Sequence, residues 1–142
     1  MMMNEAPIKI REMMADDRQL IYSSWIKSLR HVHPYCILDR NWFSAAQHAL
    51  ISCLMERSDA LIACDNDDDG QIYGYVVYEP KKNIMHWVYV KQMFRNMHVG
   101  TRLAGEAFKG RQIICSIKTP SILAIAPKWN ITFRTYELCR ND

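Results

Sequence analysis

The sequence predicts one mixed α/β (α+β) domain, a central sheet with helices on its faces, in the order β-α-α-β-β-β-α-β-α-β over residues 1–142. Three observations predict it. The spacing of apolar residues switches between a period of 2 and a period of 3.6 along the chain, so strands and helices alternate. Short polar turns separate the middle strands, which calls for an antiparallel meander. The composition, 49% hydrophobic and 23% charged over 142 residues, supports one buried core without staples and argues against disorder.

Each element follows from its own pattern. Residues 8–12 (IKIRE) alternate apolar and polar, as a half-buried first strand does. Asp16 and Gln19 have capping-box spacing, and Leu20, Ile21, Trp25 and Leu29 then form one apolar stripe of a helix running to about Arg30. Pro34 forces His33 into an extended or turn conformation, which breaks the helix. A second helix is expected over 41–57, with Trp42, Ala46, Leu50, Cys53 and Leu54 on its apolar side. Residues 60–64 and 71–79 (QIYGYVVYE) flank the turn DNDDDG as a hairpin, and 84–90 (IMHWVYV) makes a third strand after another polar turn. Residues 99–109 read as a helix closed by Gly110, and 112–117 (QIICSI) as a strand parallel to the preceding one. A short helix over 119–129 and a last strand over 131–138 complete the order.

Composition also narrows the function. Eighteen Lys and Arg against fifteen Asp and Glu give +3, too little for a dedicated nucleic-acid binder. The start, MMMNEAPIKI, lacks an apolar signal core, and no run approaches the roughly 20 apolar residues of a membrane span, so a soluble, cytoplasmic protein is expected. The five cysteines (Cys36, Cys53, Cys64, Cys115, Cys139) include no C-x-x-C pair and read as reduced thiols, mostly in the core. DNDDDG fits the first six positions of a calcium loop, but the twelfth position is Val76 within a strand, so no metal is expected there. His31, His33 and Cys36 lack further ligands, and no nucleophile elbow occurs.

The informative stretch is 90–103, VKQMFRNMHVGTRL: a strand end, an arginine, a tight loop and a helix with Gly100 and Thr101 in its first turn. A helix N-terminus exposes unpaired N–H groups at the positive end of its dipole, and glycine there lets an anion come close to the backbone. The stretch is neither a Walker loop nor a dinucleotide fingerprint, since G-K-[ST] and G-x-G-x-x-G are both absent.

It resembles the acetyl-CoA loop of the GCN5-related N-acetyltransferases (GNAT), V-x-P-x-x-[RQ]-x-x-G-x-[GA] followed by a helix. Val90 stands at the strand-end valine, Arg95 at the R/Q position and Gly100 at the last small residue, and the order of elements resembles that family along the whole chain. There are two departures. Gln92 replaces the usual proline, and His98 replaces the first glycine, where a Cβ crowds the pyrophosphate unless φ stays negative. The pieces IYSSWIKS, YVVYE, HWVYVKQMFR and LAIAPKW are also similar to small GNAT-like proteins of bacteriophages, some of which serve as structural or binding parts.

The resemblance implies two parallel strands that splay apart, 84–90 and 112–117. Backbone groups of Val88 and Val90 then pair with the pantetheine arm, and the N–H groups of Asn96, Met97, His98, Val99, Gly100 and Thr101 hold the diphosphate. It implies acetyl-CoA as co-substrate and direct transfer to a small-molecule or protein amine, the alternative being a catalytically inactive GNAT-like binding or virion-associated protein.

Acetyl transfer needs a base for the amine and an acid for the departing thiolate. Ile84 occupies the place of the glutamate found in histone-type relatives. Strand alternation puts His86 on the face of Val88, making it the first candidate base, with Glu79 second. Both also suit structural roles, a satisfied core histidine and a solvated strand-end acid. The late-helix tyrosine of relatives has no counterpart in 119–129, which leaves Tyr136, or the hydroxyls of Ser116 and Thr119. The loop 31–41 would wall the acceptor site, with His33, Tyr35 and Arg40 as candidate contacts.

Overall fold

The computed structural model describes residues 7–32, 35–95, 97–115 and 131–133. Among them the chain forms one six-stranded sheet in sequential order. Strands β1 (Ile8–Glu12), β2 (Asp59–Asp65), β3 (Ile72–Glu79) and β4 (Ile84–Val90) form the expected antiparallel meander. β5 (Ile113–Cys115) joins β4 in parallel, and β6 (Ile131–Phe133) joins β5 in parallel. Helices α1 (Arg18–Leu29) and α2 (Arg40–Arg57) precede β2, and α3 (Val99–Phe108) links β4 to β5. The helix expected over 119–129 and the end of the last strand lie outside the described residues.

Two apolar layers sandwich the sheet. One gathers Val76, Tyr78, Met85, Val88 and Val90 against Val99, Leu103, Ala107 and Phe108 of α3. The other gathers Tyr75, Val77 and Trp87 against Ile21, Trp25 and Leu29 of α1 and Phe43, Ile51 and Leu54 of α2. Strands covered on both faces need apolar residues throughout rather than alternation, and β3 is buried at every position.

Two helix expectations are corrected. The acid at the start of α1 is Asp17, not Asp16: its carboxylate takes the Met14 N–H (2.8 Å) and both terminal nitrogens of Arg11 (2.8 and 3.1 Å). Arg11, at the end of β1, selects the acid it can reach in a bidentate pair, and α1 starts two residues after Asp16 behind a 3-10 turn at Ala15–Asp17. In α2, Trp42 is 61% exposed and Cys53 is exposed, while Phe43, Ile51, Leu54 and Met55 are buried. Two adjacent helical stripes compete there, and tertiary contacts choose between them: Phe43 packs under the Tyr35 ring and the Arg30 guanidinium. Asp39 caps the helix through the Trp42 N–H at 2.9 Å. The cysteines divide evenly among the described residues, Cys64 and Cys115 buried and Cys36 and Cys53 exposed, rather than lying mostly in the core.

Bulges interrupt the meander twice. Tyr73 is the extra residue of β3 between Ile72 and Gly74, and His86 is the extra residue of β4 between Met85 and Trp87. At the first, Gly74 lies so close to β4 that a Cβ would stand 2.4 Å from the Tyr89 carbonyl oxygen. No described helix is long and apolar enough to cross a membrane.

Candidate functional site

The end of β4 and the start of α3 meet at one place. The Lys91 N–H bonds the Tyr73 carbonyl at 2.9 Å, which sets the phase of the β3–β4 ladder. Antiparallel bonding alternates, so Val88 and Val90, opposite Val76 and Gly74, turn their N–H and carbonyl groups away from β3. They point to the side on which β5 lies, and the described part of β5 reaches only Ile84 and Met85. The expected splay itself falls on residues from 116 on, outside the described ones.

Arg95 acts on this strand end. Its Nε donates to the Val90 carbonyl at 3.0 Å, so that carbonyl is already engaged, while the Val90 N–H and both backbone groups of Val88 have no partner among the described residues. The connecting loop begins with a 3-10 turn, Gln92–Phe94, anchored by the Phe94 ring stacked on Tyr73 (centroids 4.1 Å apart). Gln92 opens that turn, a position where proline's fixed φ would fit, so glutamine forgoes preorganisation and keeps the shape.

His98 has a φ of +62°, in the left-handed region, so the condition that keeps its Cβ clear of a pyrophosphate is not met. The motif's glycine is used here for its φ, and histidine is held in the same conformation at a cost of about 1–2 kcal/mol. Its carbonyl accepts the Arg102 N–H at 3.0 Å, which makes His98 the residue before the first turn of α3, and its side chain makes no cap. The N–H groups of Val99, Gly100 and Thr101 therefore have no partner among the described residues. Val99 is buried and Met97 packs against the α3-side core, so the first turn is held firmly. A Cβ on Gly100 would meet only Val90 Cγ2, at 3.7 Å, an ordinary contact. Packing alone does not require glycine there.

The second cluster lies on the opposite face. Because His86 is the bulged residue, alternation fails between it and Trp87, and the expectation that it shares the face of Val88 is corrected. Val88 faces α3, whereas His86 Nε2 lies 2.6 Å from Glu79 Oε2, and Glu79 Oε2 lies 3.3 Å from Nε of Arg57 at the end of α2. Glu79 is not a solvated strand-end acid: it is 5% exposed and His86 is fully buried. Burial lowers the proton affinity of His86 below its ordinary value, against the opposing pull of the Glu79 bond, so the ring is neutral near pH 7. Arg57 was not singled out from the sequence, where it reads as a basic residue near a helix C-terminus.

The remaining candidates are dispersed. Tyr35 is half-buried against Phe43, its carbonyl accepting from Arg30 Nη1 at 3.2 Å, and Arg40 is exposed at the start of α2. His33, Asn96, Ser116, Thr119 and Tyr136 lie outside the described residues. Among the described residues no group of side chains could hold a metal ion. In DNDDDG, Asp65 bonds the Tyr73 hydroxyl and the Asp67 N–H, and Asp69 pairs with Lys9.

The sequence matches no protein-family model and no curated protein. Solved structures do resemble the fold. A candidate acetyl transferase from Pyrococcus furiosus superposes with a TM-score of 0.62 at 14% identity, covering 85% of this chain and 91% of that one. A GCN5-related N-acetyltransferase from Rhodopseudomonas palustris gives 0.60 at 18% identity, with 90% and 82% covered. A GNAT-family acetyltransferase from Brucella melitensis, solved in complex with acetyl-CoA, gives 0.54 at 16%, with 83% and 80% covered. A six-stranded mixed sheet with α1 and α2 on one face and α3 on the other is thus shared with these proteins, and the chain has the fold of the GNAT acetyltransferases.

Proposed function

We propose that the protein is an acetyl-CoA-dependent N-acetyltransferase that passes the acetyl group directly to an amine. One observation carries the reading: the uncapped first turn of α3 lies beside a strand end whose Val88 and Val90 backbone groups face outward from the meander. The N–H groups of Val99, Gly100 and Thr101 suit a diphosphate, and those of Val88 and Val90 suit an amide-bearing arm laid down as an added strand. Arg95 braces the junction through the Val90 carbonyl.

Acetyl-CoA supplies an activated acyl thioester. The amine nitrogen attacks its carbonyl carbon, the C–S bond breaks with its electron pair leaving on the CoA thiolate, and the nitrogen gives up a proton. His86, 2.6 Å from Glu79 through Nε2, is proposed as the base for that proton. Any amine of suitable shape satisfies this chemistry, and small molecules and protein side chains both qualify as acceptors.

The competing reading is a protein that keeps the shape and binds without turnover, and the complete burial of His86 favours it. Thermal shift with acetyl-CoA, desulfo-CoA and buffer is the test. Stabilisation by both ligands is expected, worth about 2.7 kcal/mol at a hundredfold excess over Kd. No shift at millimolar ligand would remove both the activity and the site. Gly100→Glu is expected to abolish the shift through charge and bulk, and an unchanged shift would remove the diphosphate from this loop. Ligand shift without release of free thiol across a panel of amines would leave the binding reading.

A further inference from the structure

Helix α2 is apolar on two sides. Phe43, Ile51, Leu54 and Met55 are buried in the layer against the sheet. On the opposite side Trp42, Ala45, Ala49, Cys53 and Glu56 are exposed and Ala46 is half-buried, at the spacing of three and four that keeps residues on one helical face. No Asp, Glu, Lys or Arg occurs in residues 41–55, so this outward face runs for about four turns without a charged side chain. The other two helices differ: α1 shows Arg18 and Lys27 to solvent, and α3 shows Glu106.

A surface helix ordinarily turns charged groups outward, and a helix that is apolar all round is ordinarily covered all round. The charges at the two ends of α2 indicate what covers it. Arg40 and Glu56 are both exposed, and neither takes part in an ion pair among the described residues. Two α2 helices laid antiparallel about a two-fold axis at Ala49 set Ala49 on Ala49 and Ala45 against Cys53. Glu56 of each copy then lies by the first turn of the other, beside Arg40 and the positive end of the helix dipole. A parallel pair would instead set Arg40 against Arg40 and Glu56 against Glu56. The alanines let the two axes approach to about 8 Å, and Trp42 covers the ends of the contact.

We propose that the outward face of α2 is a self-association surface on which a second copy of the chain docks its own α2 antiparallel, giving a two-fold dimer centred on Ala49. The first turn of α3 lies across the sheet from this face, so pairing leaves it clear. The dimer is independent of acetyl transfer. One helix pair is a small interface, so association in the micromolar range is expected.

Analytical ultracentrifugation of the full chain over a micromolar concentration series tests it. The wild type is expected to pass from monomer to dimer as concentration rises. Ala49→Glu and Ala49→Lys should each remain monomeric with unchanged far-UV circular dichroism, since position 49 is exposed and both residues are good helix formers. An equimolar mixture of the two should dimerise again, because the two-fold axis sets position 49 against itself and the charges are then opposite. Trp42→Gln should weaken the dimer about tenfold or more, and it decides if the Ala49 variants do not fold. A wild type that is monomeric throughout the series, or a dimer that persists in Ala49→Glu alone, would overturn the proposal. So would a mixture that stays monomeric, which would exclude an axis at Ala49.

Discussion

His98 and Gly100 divide between them the two uses of glycine in the loop that resembles an acetyl-CoA site. At His98 the requirement is conformational, φ +62°, and a side chain is held there under strain. At Gly100 the fold itself requires nothing, since nothing in the protein crowds a Cβ, and it is the proposed diphosphate that would use the open space. His98→Gly should therefore stabilise the free protein by about 0.5–1 kcal/mol, the release of left-handed strain being partly offset by the greater freedom of glycine in the unfolded chain. The midpoint of urea unfolding measures it, and a loss of stability would show that the imidazole contributes contacts that outweigh the strain. Arg95 shows the limit of motif reading at this scale. Its place in the sequence pattern is clear, but only coordinates show its Nε on the Val90 carbonyl.

At the scale of elements, the strand pairs that shape the site depend on irregularities more than on regular pairing. Gly74 lets β3 approach β4 where Val90 must present its backbone, and the bulge at Tyr73 adjusts the register just before it. Gly74→Ala should cost on the order of 1–3 kcal/mol, because the added methyl meets backbone atoms that cannot rotate away. Chemical denaturation reads the loss, and a tolerated alanine would mean that the two strands can part at this point. The meander, the crossover helix and the parallel β4–β5 pair were legible from periodicity and turn lengths. The two bulges were not, since neither Tyr73 nor His86 breaks the pattern of a fully buried strand. The same ambiguity let α2 be read with Trp42 inward, because both of its stripes have helical spacing.

Over the whole molecule, two buried ionisable sites, one at the start of α1 and one among β3, β4 and α2, make stability depend on acid. Burial lowers the proton affinity of His86 below its ordinary 6.5, so its share of stability is present above that pH and is lost as pH falls through it. Arg11 holds the Asp17 carboxyl below its ordinary 3.8, so the stability from that pair is present above 3.8 and is lost as pH falls further. Unfolding midpoints measured from pH 8 to pH 3 should fall in two stages, the upper absent in His86→Gln and the lower absent in Asp17→Asn. A single stage in the wild type would contradict the assignment of neutral His86. The two apolar layers give both stages a common readout, since either site loosens a sheet that packs on both faces.

From residue order alone came the class of fold, the succession of elements through α3 and the loop with its uncapped helix start, because these depend on periodicity, turn chemistry and local spacing. Tertiary structure alone decided which face His86 occupies, that Glu79 is buried, that Arg57 joins them and that Asp17 rather than Asp16 begins α1. The physical reason is the same in each case. A bulge, a close strand approach or an ion pair between distant segments is set by partners far apart along the chain, and the local pattern on either side is equally consistent with their absence.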